Sequence, residues 1–242
     1  MYTPGFENLF YEPDIDSGVR YLNAGESNHC IRVLRHRLND AIYIVDGRGS
    51  LYHCKIITPD VNQCAFEVVD RFPEWKKRSY QIHIGISPIK NTIRFEWFLE
   101  KAVELGIDEI TLVISRFTLR QTMNLSRLEK IMISAMKQSK QAHRTRINPP
   151  VNIQSFFASS FSPGHRYIAH QSDTAKPLSL VYPPGSNTIL VVGPEGGFSD
   201  QEIELAEKSE FQQVLLNPNR LRTETAGVVA TAIIHSLNTD LH

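Results

Sequence analysis

Cysteine is scarce in this sequence. The three residues Cys30, Cys54 and Cys64 form no CxxC pair, which argues against a zinc site and against a disulfide framework, so buried thiols are expected. Long hydrophobic runs are missing too. No stretch approaches the roughly 18 apolar residues that span a bilayer, and residues 1–10 carry no basic side chain, so neither a membrane anchor nor a leader is expected and the cytoplasm is the default location. Net charge is also absent, with 26 Lys plus Arg against 26 Asp plus Glu, which at first disfavours a nucleic-acid partner. Distribution changes that inference. Within residues 116–146 the acids are reduced to Glu129, while Arg116, Arg120, Arg127, Lys130, Lys137, Lys140, Arg144 and Arg146 make a basic segment, and Arg32, Arg35, His36 and Arg37 form a smaller cluster.

What is present divides into two rhythms. Residues 41–70 read as strands, AIYIVD, SLYHCKII and CAFEVVD, with a glycine-bearing turn at 46–49, and predict a small antiparallel β unit. Just before it, residues 29–38 put Ile31, Leu34 and Leu38 on one helical face with Arg32 and Arg35 turned away. The proline and charge of FPEWKKRS at 72–79 predict a linker, which gives a first domain of residues 1–73 and a second of 74–242.

The second part alternates strands and helices, the pattern of an α/β fold with mostly parallel strands. A strand is expected at 81–87, a helix at 94–105 closed by Gly106 as a left-handed cap, and a strand at 109–114. The helix expected at 125–141 has a buried stripe of Leu128, Met132, Ala135, Met136 and Ser139. Arg127, Lys130 and Lys137 lie on its polar stripe, which reads either as a solvated face or as a phosphate-binding one. Three more strands, near Tyr167, ending at Val192 and ending at Leu216, each run into a loop of unusual composition. In open α/β sheets ligands bind beyond the carboxyl ends of strands, so these loops are where a site is sought.

The first informative loop is GPEGGFSDQEIE at 193–204, where Gly193, Gly196 and Gly197 permit close backbone approach or dihedrals closed to other residues, and Ser199 with Glu202 forms a capping box. On spacing alone an ordinary strand-to-helix turn fits equally well. No GK[ST] follows and the GxGxxG spacing is absent, so a phosphate-cradling or dinucleotide enzyme is disfavoured. The second is NPNRLRTETAGVVATAIIH at 217–235, a helix beginning at Thr223 or Asn219, whose Ala226, Gly227, Ala230 and Ala232 imply a very close neighbour. Arg222 and Glu224 stand at its mouth. A surface arginine and a dipole partner or salt-bridge acid are their bland readings.

In order along the chain, KNTIRFEWFLEKAVELGIDEIT, AMKQS, VVGPEGGFSDQEIE and LRTETAGV resemble the bacterial 16S ribosomal RNA uracil-N3 methyltransferases, the RsmE group of the SPOUT superfamily. The likeness spans most of the chain, its most specific part being GPEGGFS followed by LRTETA. It implies a SPOUT-type α/β trefoil-knot methyltransferase domain, preceded by a small PUA-like β-barrel and acting as a homodimer on 16S rRNA of the small ribosomal subunit, with S-adenosylmethionine as cofactor and no metal. General chain-packing rules run against a knot. Carried over by motif, Gly193, Pro194, Glu195, Gly196, Gly197, Leu216, Asn217, Leu221, Arg222 and Thr223 line the cofactor, with His170 and Gln171 as further members. The family usually has glycine where this chain has Asn217, which is expected to take the left-handed conformation in its place. It often has an ERS-like run where this chain has Arg116, Phe117 and Thr118.

Uridine N3 carries a proton that must leave before or during attack on a methyl group. Arg222 is therefore expected to stabilise the uracil anion, and Glu224 to accept the proton or orient the arginine. Arg32, Arg35, Arg37, Arg120, Arg127, Lys130 and Lys137 are expected to grip RNA phosphates. Two other classes compete: a non-catalytic RNA-binding protein with a degenerate pocket, toward which Asn217 leans, and a nucleotide-phosphate enzyme using the glycine loop.

Overall fold

The computed structural model describes residues 7–159, 161 and 163–239. They fall into two compact units, residues 1–77 with 133–144 and residues 78–132 with 145–242.

In the first unit, β1 (Leu9–Tyr11) pairs parallel to β2 (Ala41–Val45), which continues antiparallel through β3 (Leu51–Thr58) to β4 (Ala65–Phe72). Alternation places Ile42, Ile44, Cys54, Ile56 and Phe66 in one apolar core with Phe10, Leu22, Cys30 and Cys64. All three cysteines are buried free thiols, and burial pushes the Cys54 thiol up to about 12. The β2–β3 turn closes because the Asp46 carboxylate accepts the N–H groups of Arg48 and Ser50 at 2.7 and 3.0 Å, while Gly47 and Gly49 take positive φ. Ahead of β2, Asn23 caps α1 (Ala24–Asn28), which runs into a π-helical turn, His29–Val33. The helix expected at 29–38 therefore starts earlier and ends sooner, Arg35 already standing at φ 61°.

The second unit is a seven-stranded sheet in which every pairing among the described strands is parallel, in the order β7-β6-β5-β10-β8-β11-β9. The strands are β5 (Ile82–Ile86), β6 (Glu109–Ile114), β7 (Arg146–Asn152), β8 (His165–Ala169), β9 (Lys176–Pro177), β10 (Thr188–Val192) and β11 (Gln212–Leu215). Helices α2 (Thr92–Glu104), α3 (Leu125–Gln138), α4 (Ile153–Phe157), α5 (Leu178–Val181), α6 (Asp200–Lys208) and α7 (Thr223–Ser236) connect or follow them. Strand β10 is buried along its whole length, as a central parallel strand must be. Ile189 and Val191 join Phe156, Phe157 and Phe211 in one core cluster. Helix α7 packs on α2 so closely that a Cβ on Gly227 would lie 2.5 Å from the Phe98 ring, which is the tight crossing its small residues imply. Gly106 ends α2 at φ 86°, as expected of a left-handed cap.

Strand β7 contains Pro149 and Pro150 and was not anticipated. It lies at the edge of the sheet, where a missing N–H is tolerated. Helix α3 buries Leu128, Met132, Ala135 and Met136 of the expected stripe, while Ser139 lies just past its end and is half-buried.

Candidate active site

Strands β8, β10 and β11 are neighbours, so their carboxyl-terminal loops emerge side by side. Side chains then tie the loops together. Thr223 Oγ1 donates to the Gly193 carbonyl at 2.8 Å and Arg220 Nη2 donates to the Glu195 carbonyl at 2.8 Å, joining the glycine loop to the loop after β11. From the β8 loop, Gln171 Nε2 donates to the Pro218 carbonyl at 3.0 Å.

The glycine loop has this shape for local reasons. The Gly197 N–H closes a turn on the Pro194 carbonyl at 2.9 Å, and Gly197 itself sits at φ 75°. A Cβ on Gly193 would meet the Phe198 ring at 3.0 Å, and one on Gly196 would meet Phe117 Cβ at 2.8 Å. Buried Glu202 then anchors the turn's exit: its carboxylate accepts the Ser199 N–H at 2.8 Å, the reciprocal half of the expected capping box, and the Arg116 N–H at 2.7 Å.

Between the three loops lies a cavity of about 200 Å³. Its lining includes ten of the residues singled out from sequence: His170, Gln171, Gly193, Pro194, Glu195, Gly197, Leu216, Asn217, Leu221 and Thr223. Gly196 and Arg222 are not among them; Gly196 lies under Phe117, and Arg222 is the exposed residue that precedes the first turn of α7. Glu224 is also outside the lining, 6% exposed, with Oε1 3.9 Å from Arg94 Nε on α2. Helix α7 starts at Thr223, which removes Asn219 as its first residue. The lining adds Ala169, Val192, Val214, Arg220 and Ala226, which sequence reasoning passed over. Ala169, Val192 and Val214 are simply among the last residues of core strands and Ala226 lies in the first turns of α7, whereas Arg220 carries no signal that distinguishes it from a surface cation.

Asn217 departs from expectation. Among the described non-glycine residues with positive φ are Arg35, Asn39, Glu74, Lys76, Lys140 and Glu210, and Asn217 is not one of them. Its side chain shapes the loop differently, Oδ1 accepting the Asn219 N–H at 2.9 Å in an Asx turn.

The basic residues fare unevenly. Arg127 makes a bidentate pair with Glu96 at 2.6 and 2.9 Å, which holds the Glu96 carboxyl below its ordinary range. Lys137 is half-buried and paired with Glu26, and Arg120 donates to the Thr122 carbonyl. Lys130, Arg32, Arg35 and Arg37 are exposed.

A second cavity, of about 390 Å³, lies at the amino ends of β5, β6 and β10. Its polar groups bond to one another: His83 Nε2 lies 2.8 Å from Thr111 Oγ1, and the Asn148 amide donates to Thr111 at 2.8 Å and to Glu109 at 2.6 Å. Burial pulls the His83 imidazole down to about 4. Burial pushes Glu109 up, but Asn148, His83 and Arg146 together bring its carboxyl below the ordinary range.

Among the described residues no helix is long and apolar enough to cross a membrane, and no group of His, Cys, Asp and Glu could hold a metal ion.

A wholly parallel sheet with a cavity between three tied loops at its carboxyl edge defines an α/β protein that binds a small ligand there. The model of the RNA methyltransferase domain matches residues 76–235, and that of the RNA methyltransferase PUA domain matches residues 22–69. The chain belongs to this RNA methyltransferase family. Over 231 residues it is 29% identical to the ribosomal RNA small subunit methyltransferase E of Aquifex aeolicus, covering 94% of this chain and 98% of that one. The crystal structure of a probable rRNA-methyltransferase from Porphyromonas gingivalis superposes with a TM-score of 0.91 at 38% identity, covering 97% of this chain and 100% of that one. The ribosomal RNA small subunit methyltransferase E from Neisseria gonorrhoeae, solved bound to S-adenosyl methionine, superposes at 0.87 with 27% identity, covering 98% and 100%. The family expected from the motifs is thus the one its relatives carry by name.

Proposed function

We propose that this protein transfers a methyl group from S-adenosylmethionine to N3 of a uridine in 16S rRNA of the small ribosomal subunit. The observation that carries the reading is the cavity itself: three loops at the ends of β8, β10 and β11, joined by side-chain hydrogen bonds, enclose the residues that the family motif picks out.

The lining suits a nucleoside-derived cofactor. Ala169, Val192, Val214, Leu216 and Ala226 offer apolar walls to a flat base, while main-chain groups of the glycine turn and the β11 loop offer hydrogen bonds. His170, Gln171, Gly193, Pro194, Glu195, Gly197, Leu216, Asn217, Leu221 and Thr223 would hold it, with Gly196 permitting the close approach of Phe117. When bound, S-adenosylmethionine supplies an electrophilic methyl group. Arg222, exposed beside the cavity at the start of α7, is free to meet the uracil carbonyl oxygens and stabilise the anion left when N3 loses its proton. Glu224, buried against Arg94, holds a negative charge at the first turn of α7 and acts either as proton acceptor or through the arginine.

The N-terminal residues 1–73 are assigned as a PUA-like RNA-binding domain and 74–242 as the catalytic domain. Exposed Arg32, Arg35, Arg37 and Lys130 are the phosphate contacts the geometry favours, and Arg120, Arg127 and Lys137 must first give up their present partners. A homodimer is supported by Ile93 and Trp97 on α2, which are 75% and 45% exposed. The trefoil knot is supported by the path of the chain, since α7 follows β11 yet packs against α2 and β5, on the other side of β8 and β10. A cytoplasmic location follows from a ribosomal substrate.

Small subunits lacking the modification, incubated with methyl-labelled cofactor, should gain label on a single 16S uridine, and the product should be 3-methyluridine by mass spectrometry. Label on another base, on ribose or on no RNA overturns the reading.

A further inference from the structure

Two arginines stand on the loop between β11 and α7, and they face different ways. Arg222 is outside the cavity lining, whereas Arg220 is part of it and bonds to the main chain of the opposite loop. Its acceptor, the Glu195 carbonyl, lies at the tip of the turn that Gly197 closes on Pro194. The two loops are joined a second time near the strand ends, where buried Thr223 donates to Gly193. One tie is therefore near the root and shielded, the other near the tip and exposed. Arg220 is also well presented. Immediately before it, Asn217 Oδ1 holds the Asn219 N–H, and Gln171 holds the Pro218 carbonyl, so the loop from which the arginine extends is pinned from two directions.

A turn with Gly196 and Gly197 in succession has little intrinsic rigidity, because glycine gives up more backbone freedom on ordering than any other residue. Without a tie at its tip, that entropy would have to be lost when the ligand binds. A side chain that orders the turn beforehand lowers the cost of binding without entering the chemistry.

We propose that Arg220 is a positioning residue of the cofactor cavity: by holding the Glu195 carbonyl it fixes the tip of the glycine turn in the binding-competent shape, and so sets cofactor affinity rather than the rate of methyl transfer. The inference rests on the reading of this cavity as the S-adenosylmethionine site. Two of its three readouts, amide exchange and calorimetry, are nonetheless independent of turnover.

Wild type, Arg220→Ala and Arg220→Lys are compared as full-length proteins. Amide hydrogen exchange on the ligand-free proteins should show residues 194–198 exchanging faster in Arg220→Ala, with the rest of the sheet unchanged and Arg220→Lys in between, since lysine keeps a donor but not the planar fork. Calorimetry with S-adenosylhomocysteine should give a dissociation constant raised about tenfold in Arg220→Ala, partly restored in Arg220→Lys, with kcat at saturating cofactor within about twofold of wild type. Unaltered exchange at 194–198 overturns the proposal, and so does a fall in kcat at unchanged affinity. If wild type itself fails to bind the ligand, the functional reading fails, whereas a wild type that binds beside an unaffected Arg220→Ala sinks the Arg220 assignment alone.

Discussion

At the amino ends of β5, β6 and β7, the polar residues His83, Thr111, Glu109, Asn148 and Arg146 bond to one another across the sheet. At the carboxyl ends of β8, β10 and β11, the polar side chains of Gln171, Arg220 and Thr223 bond instead to main-chain carbonyls of the neighbouring loop. Both ends have a cavity, and the amino-end one is the larger, about 390 against about 200 Å³. Size therefore does not mark the site. A closed side-chain network satisfies itself and stiffens the sheet, while side chains spent on loop backbone build walls of fixed shape around a space.

Four measurements would break or sharpen that contrast. The largest effect is expected at the carboxyl end: Arg222→Ala should lower turnover about 100-fold or more, as loss of a group aimed at developing charge does, while S-adenosylhomocysteine affinity stays within about twofold. Wild-type turnover in that variant removes Arg222 from the chemistry. Next, Thr223→Val keeps the shape of the side chain but leaves the Gly193 carbonyl without its donor, and cofactor affinity measured by calorimetry should fall about tenfold or more.

At the amino end the expected consequence is in stability. The buried His83 imidazole titrates near 4 in the folded protein against an ordinary 6.5, so on acidification the unfolded chain takes up the proton first. Stability held above about pH 6.5 is then lost down to about pH 4, on the order of 3 kcal/mol. His83→Gln should flatten that part of the profile in chemical denaturation while activity at pH 7.5 stays within about twofold. A large loss of activity would mean that the two ends are coupled. The smallest effect concerns RNA: Glu96→Gln releases Arg127 and should tighten binding less than about threefold at low salt and not at all at high salt, read in a filter-binding titration.

Much of this arrangement was legible in the chain because parallel strands in a buried sheet write themselves as apolar runs, and TILVV and the strand around Tyr167 end where the unusual loops begin. The glycine turn was legible for a related reason, since Gly193 and Gly196 leave room for the Phe198 ring and Phe117, and Gly197 takes a positive φ that glycine adopts most readily. Charge was not. The segment around Arg127 and Lys137 contains one acid by local count, yet Glu96 and Glu26 arrive from distant sequence to pair with them, and pairing across the fold has no periodicity to read. Asn217 misled in a similar way: a residue tolerant of left-handed backbone is equally suited to closing an Asx turn, and only the loop's final path decides between them. Arg220 was silent because its partner is a carbonyl oxygen, a group every residue has.

The walls of the carboxyl-end cavity come from three stretches far apart in sequence, around residues 170, 195 and 218, and all three of its ties have one end in the stretch from Pro218 to Thr223, which leads from β11 into the first residue of α7. Before that stretch docks there is no enclosure, only the blunt ends of β8 and β10. Cofactor capture therefore requires that stretch to be in place, which makes ligand binding a reporter of its docking as well as of the sheet beneath it.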